Sequence, residues 1–163
     1  MSPGVYRAPK SSLVARWYSR WMETRRQAHC VYRCMYHIVW IPRYRYKVLV
    51  NGVDEYLKIK LDEIRKYHPE IEYIERNVQA DHIHVVVSFP PKYSIARVVQ
   101  LMKQNTGRAL RERYRFLRER YWGSGGIWSV GYFASTVGLD EETIRRYVRY
   151  QEKEDLGQAK LAF

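Results

Sequence analysis

The chain has 163 residues, enough for one domain with some extra length. Hydrophobic residues make up 46% of it, and 6 Pro and 9 Gly are too few for general disorder, so a wholly unstructured chain is excluded. Lys and Arg number 29 against 17 Asp and Glu, a formal net charge of +12, which points to a polyanionic partner because each neutralised phosphate releases a condensed counterion.

A generally basic protein without such a partner is the alternative. Against it stands the aromatic content, 15 Tyr and 5 Trp interleaved with Arg, because such rings offer stacking platforms for unpaired bases. No secretory apolar core is present, nor any run of about 18 apolar residues, so the sequence points to the cytosol, beside the nucleoid if the partner is DNA, and to no membrane.

Residues 1–29 read as a basic N-terminal arm. Ser2, Pro3, Gly4, Pro9, Ser11 and Ser12 break any early pattern, and Trp17, Tyr18 and Trp21 suit a short amphipathic helix over 13–26. The arm either packs on the domain, touches nucleic acid or is an inert tail. A main domain over 30–155 and a short tail over 156–163 complete the division.

Residues 31–40 are rich in strand formers and stop at Ile41-Pro42, so they read as a first strand. Cys30 and Cys34 fall in or beside it, about 13 Å apart, too far for a disulfide within one strand, which needs Cα atoms within about 7 Å. Asn51-Gly52 is a turn. Val53, Tyr56, Leu57, Leu61 and Ile64 recur at helical spacing over 53–67, with Ile59 off the stripe and Asp54 and Glu55 at the end the helix dipole favours.

A second strand over 71–78 alternates imperfectly, and a third over 82–89 ends at Pro90-Pro91. Ser94 caps a long helix reaching to about Arg120, with Gly107 a candidate position for a break. Gly123-Ser124-Gly125-Gly126 is a flexible connection, 128–137 a fourth strand and 140–154 a final helix. The order β-α-β-β-α-β-α is that of an α+β, ferredoxin-like split βαβ domain with an antiparallel sheet and an added C-terminal helix. This superfold hosts many activities and fixes none.

The sharpest chemical signal is Asp81-His82-Ile83-His84-Val85-Val86-Val87. Residues two apart on a strand project to one side, about 7 Å apart along the chain. His82 and His84 therefore share one face and can hold a divalent metal between them, while Ile83, Val85, Val87 and Phe89 face a core. The alternative is a pair of polar residues on a wet sheet face. Asp81, by the same alternation, should point away and is not assigned as a ligand. On the final helix Tyr147 and Gln151 stack one turn apart, and a Gln carbonyl suits Mg²⁺ or Mn²⁺. Both could equally belong to a packing stripe, and periodicity does not single out Tyr147 among 15 tyrosines.

Lys103, Arg108, Arg111 and Arg115 on the long helix form a candidate backbone-contacting surface, or else a solvated charged face. Arg43, Tyr44, Arg45, Tyr46 and Lys47 interleave cation and ring and suit an unpaired base. Other chemistries lack their motifs. The glycine run has no following Lys and no strand-to-helix setting for a phosphate loop, and no serine elbow, zinc-finger cysteine set or dinucleotide fingerprint occurs, so no nucleotide cofactor is expected.

Taken together, His82-Ile83-His84, the stretch Val130-Gly131-Tyr132-Phe133-Ala134-Ser135-Thr136-Val137-Gly138, the Tyr147-x-x-x-Gln151 helix and the opening Tyr36-His37-Ile38-Val39-Trp40-Ile41-Pro42-Arg43-Tyr44-Arg45 resemble the single-tyrosine HUH transposases of the smallest insertion sequences, REP-associated relatives included. The similarity runs from about Tyr32 to Gln151 and leaves residues 1–29 outside.

The resemblance implies a homodimer that binds hairpins in single-stranded DNA. It implies a tyrosine that attacks a phosphodiester to leave a 5′-phosphotyrosine and a free 3′-OH, a linkage later attacked by another strand's hydroxyl. By position Tyr147 would be the nucleophile and His82, His84 and Gln151 the ligands of Mg²⁺ or Mn²⁺, with Zn²⁺ also acceptable to two His. In that family the tyrosine helix can serve the partner's metal site. The competing expectations are a domesticated relative acting on dispersed palindromes, a metal-dependent nuclease using activated water, and a non-enzymatic single-stranded nucleic-acid-binding module.

Overall fold

A computed structural model describes residues 24–137. Two strands, β1 (Arg25–Gln27) and β2 (Cys30–Tyr32), form a separate antiparallel hairpin. The main domain follows with β3 (Met35–Trp40), α1 (Val53–Tyr67), β4 (Glu72–Gln79), β5 (His82–Ser88), α2 (Ile95–Arg113), α3 (Arg115–Arg120) and β6 (Phe133–Thr136). The sheet order is β4-β5-β3-β6 and every pairing is antiparallel. This is the ferredoxin-like split βαβ arrangement that the element order implied. The added C-terminal helix and the 156–163 tail lie outside the described residues.

One sheet face is closed by the helices. Ile38, Trp40, Ile83, Val85 and Val87 point into a core shared with Leu57, Leu61 and Ile64 of α1 and Val98, Met102 and Leu110 of α2. The helical stripe of α1 is buried as its spacing requires, and Ile59, off that stripe, is 55% exposed. α1 begins after Asn51 (φ 55°) and Gly52 (φ 89°), two left-handed residues that only Gly and Asn adopt readily. The Ser94 hydroxyl accepts from the Arg97 backbone N–H and starts α2 as an N-cap.

Several expectations need correction. The stretch 31–40 is not one strand: it breaks at Arg33-Cys34, because β2 turns back on β1 while β3 enters the main sheet. Cys30 and Cys34 accordingly lie apart in the topology, both unbridged. The helix expected over 13–26 does not cover its last residues, since Arg25 and Arg26 are extended in β1; residues 13–23 lie outside the described residues. Arg25 binds Glu72 with its Nη2 at 2.7 Å, so this hairpin packs on the domain. The imperfect alternation of β4 has a cause, a register shift between Tyr73 and Glu75.

The long helix runs unbroken through Gly107 and breaks instead at Tyr114, whose backbone is extended. Tyr114 is held there by its hydroxyl, which donates to the Gly52 carbonyl at 3.1 Å, and by its ring against Tyr56. Gly107 serves packing: a Cβ there would lie 3.2 Å from the Trp128 indole. The same indole explains why the fourth strand is shorter than 128–137. Trp128 turns inward, 6% exposed, meets Trp40 edge-on and donates from Nε1 to the Thr106 hydroxyl at 3.1 Å. Only a single bridge to Pro42 forms there, and regular pairing resumes at Phe133.

Thr106 thus spends its hydroxyl twice, donating to the Met102 carbonyl and accepting from Trp128. Thr106→Val keeps the shape but leaves a buried indole N–H without an acceptor. It should cost about 1–3 kcal/mol, read as a lower urea midpoint in circular dichroism with an unchanged denaturant slope.

Candidate metal centre and nucleic-acid surface

The site is built by register. β5 lies between β4 and β3, with Val39 opposite His84 and His37 opposite Val86. His82 and His84 therefore project to the sheet face away from the helices, their ring centroids 5.3 Å apart and their planes at 63°. Each is only 7% exposed, so the pair does not sit on a wet face.

Two further groups orient these rings. The Asp81 carboxylate accepts from His82 Nδ1 at 2.6 Å, a carboxylate–imidazole pair that turns Nε2, the lone-pair nitrogen of the corresponding neutral tautomer, toward the site. Alternation had placed Asp81 on the opposite side; it fails because Ala80-Asp81 is the tight turn joining β4 to β5, outside the pleat. Burial alone would raise the Asp81 carboxyl, but the hydrogen bond and charge of His82, together with Arg45 at 3.2 Å, hold it below the usual carboxylate range.

His37 is a site residue that the sequence reading did not single out. Its Nε2 lies 2.8 Å from His84 Nδ1, with ring centroids 4.8 Å apart. Parity along β3 puts His37 with Val39, but only the β3–β5 register brings it diagonally against His84. Burial, with the neighbouring His37 and His82, pushes His84 down to about 3, and burial also lowers His37. His84 is therefore neutral at physiological pH. When its Nδ1 donates to His37, the lone pair falls on Nε2, which is buried and makes no hydrogen bond to any described residue.

Two imidazole rings, one backed by a carboxylate and one buried with its Nε2 making no hydrogen bond to any described residue, suit a divalent cation. Among the described residues no group of three His, Cys, Asp or Glu completes such a site. Tyr147 and Gln151, the remaining sequence candidates, lie outside the described residues.

The basic candidates separate by their partners. Lys103 donates to the carbonyls of Ser129, Val130 and Gly131 at 2.9, 3.2 and 2.7 Å, so its charge gathers the segment before β6. Burial and nearby Arg43 lower its pKa. Arg108 and Arg111 line a groove of about 470 Å³ beside it, floored by Gly125, Gly126 and Trp128. Arg108 pairs with Glu112 and Arg115 with Glu119 along their helices, yet both Arg side chains are at least 80% exposed and free to reorient. Arg43 and Arg45 sit in the turn after β3, Arg45 against Asp81. Among the described residues no helix is long and apolar enough to cross a membrane.

The family described as "Transposase IS200 like" matches residues 30–151. The ISDra2 transposase TnpA of Deinococcus radiodurans is 30% identical over 135 residues, 82% of this chain and 95% of the relative. The transposase for insertion sequence element IS200 of Salmonella typhimurium is 29% identical over 128 residues, 78% of this chain and 83% of the relative. A crystal structure of a Deinococcus radiodurans R1 protein described as a transposase superposes with a TM-score of 0.64 at 27% identity, covering 84% of this chain and 99% of that one. A REP-associated tyrosine transposase solved with a REP hairpin superposes at 0.53 with 14% identity, over 85% of this chain and 76% of that one, a likeness of fold. With the family pattern spanning His37, the His82-Ile83-His84 strand and the chain through Gln151, the protein belongs to the IS200-like transposases.

Proposed function

We propose that this transposase cuts and rejoins single-stranded DNA through a 5′-phosphotyrosine on Tyr147, at a site where His82, His84 and Gln151 hold Mg²⁺ or Mn²⁺. The observation that carries the reading is the buried His82–His84 pair, aimed by Asp81 and His37.

A divalent cation held by His82, His84 and Gln151 would supply charge neutralisation for the phosphoryl group, worth several kcal/mol in such sites. The chain's own groups do the rest. The Tyr147 phenol, with an ordinary pKa of about 10, gives up its proton and its oxygen attacks phosphorus. The bond from phosphorus to the 3′-oxygen breaks, and that oxygen leaves as a 3′-OH after taking a proton. Asp81 keeps the His82 ring from rotating. His37 does the same for His84, so neither ring must be ordered when substrate arrives. The reverse displacement, by the 3′-OH of another strand, frees Tyr147 and reseals the DNA without an external energy source.

Hairpin-bearing strands are the proposed substrate, supported by a protein of the same fold solved on a REP hairpin and by the net charge of +12. Arg43, Arg45, Lys103, Arg108, Arg111 and Arg115 are the proposed nucleic-acid contacts, Lys103 through the loop it holds. The working unit is proposed to be a homodimer acting on DNA in the cytoplasm.

The test uses 3′-labelled single strands copied from the DNA flanking the gene, incubated with Mn²⁺. Wild type should yield a denaturant-resistant protein–DNA adduct, and Tyr147→Phe should yield none while binding the same strands as tightly. Free 5′-phosphates alone, or an adduct that survives Tyr147→Phe, would overturn the phosphotyrosine.

Asp81→Asn tests the orientation of His82. Loss of such an outer carboxylate typically weakens metal binding about 10- to 100-fold. A Mn²⁺ titration followed by calorimetry should show that loss, and His84→Gln should lose more. Unchanged affinity in both variants would remove these histidines from the metal site.

A further inference from the structure

The turn after β3 is strained and aromatic. Tyr44 (φ 62°) and Arg45 (φ 52°) are consecutive left-handed residues, neither of them Gly or Asn. Each such residue costs on the order of 1 kcal/mol or more, and no apolar burial offsets it, since the Tyr44 side chain stands 69% exposed. A sequence free to relax this turn would place Gly or Asn there.

What the strain achieves is a cluster of rings at the mouth of a groove. The Tyr44 ring lies 5.4 Å from that of Tyr46, and the Arg120 guanidinium covers Tyr46 at 5.0 Å. Beyond them a groove of about 430 Å³ runs between the 46–53 segment and α3, with Phe116 and Tyr114 on its far wall and Lys47 and Arg120 at its rim. Among the described residues no acidic one lines it. Phe116 is 46% exposed and Tyr46 39%. Half-open rings beside unopposed cations match a flat π-face carried on a phosphate backbone, whereas an apolar peptide would gain nothing from the cations.

The cluster is tied to the metal-ligand candidates. Arg45, next to Tyr44, reaches the Asp81 carboxylate with its Nε at 3.2 Å, and Asp81 holds His82 at 2.6 Å. The geometry points to an unpaired-base site: Tyr44 and Tyr46, with Phe116 across the groove, stack a base of the strand whose phosphate is presented at His82 and His84, and Arg45 couples that base to the ring orientation of His82. This rests on the proposed function in taking single-stranded DNA as the substrate and the His82–His84 pair as the place where its phosphate is presented. Tyr44 and Tyr46 are positioning residues, remote from the bonds that change.

Two fluorescent 12-mers in EDTA test it, oligo-dT and a fully abasic strand with the same backbone, titrated against the full chain by anisotropy. A stacked base is worth about fivefold to a hundredfold in affinity. Tyr44→Ala and Tyr46→Ala should each lose at least fivefold on oligo-dT and less than twofold on the abasic strand. Tyr44→Phe should keep wild-type affinity, as should Tyr67→Ala, which removes an exposed ring at the far end of α1. Oligo-dT binding within twofold of wild type in both alanine variants, or equal losses on the two strands, would overturn the base site. If adduct formation by Tyr147 fails while the base-dependent losses appear, the phosphotyrosine falls and the base site stands; the opposite pattern refutes the base site alone.

Discussion

The placement of β5 between β4 and β3 governs the site, because side-chain direction on a strand has period two. A one-residue slip would carry His82 and His84 into the helix-covered core and push Ile83 and Val85 out. That slip is resisted by apolar burial: Ile83, Val85 and Val87 are fully buried against α1 and α2. The hydrophobic side of the strand therefore fixes the position of its polar side. The pairing of Val39 with His84 and His37 with Val86 then decides which groups of β3 the histidines meet.

Burying imidazoles is costly unless they stay neutral and find partners. Here burial keeps His84 neutral, and neighbours rather than solvent supply the partners. His37 partners His84, and Asp81 partners His82 from a turn whose geometry frees its side chain from the pleat. The result is a pair of rings restrained in direction before anything binds.

The turn after β3 and the segment before β6 are organised from opposite sides. Trp128 and Lys103 anchor the latter, the indole through Thr106 and the ammonium through three backbone carbonyls. Arg43 donates its backbone N–H to the Ile127 carbonyl at 2.7 Å, and the Tyr121 hydroxyl donates to the Arg43 carbonyl. The strained Tyr44-Arg45 pair is held between these anchors, so its conformation is imposed by its surroundings and not by its own preference.

Much of this was legible in the chain alone. Strand and helix periods, the Ser94 cap, the Asn51-Gly52 turn and the parity of His82 and His84 are local properties, fixed within a few residues by covalent geometry. They yielded the element order and hence the ferredoxin-like topology. What the sequence could not settle involved groups brought together across the fold: the helix break at Tyr114 rather than Gly107, the inward Trp128 that shortens β6, the split of 31–40 into β2 and β3, and the meeting of His37 with His84. Each depends on which distant surface a side chain packs against. Asp81 lay at the boundary between the two, since alternation ends where a turn begins and only the closed hairpin showed where its carboxylate goes.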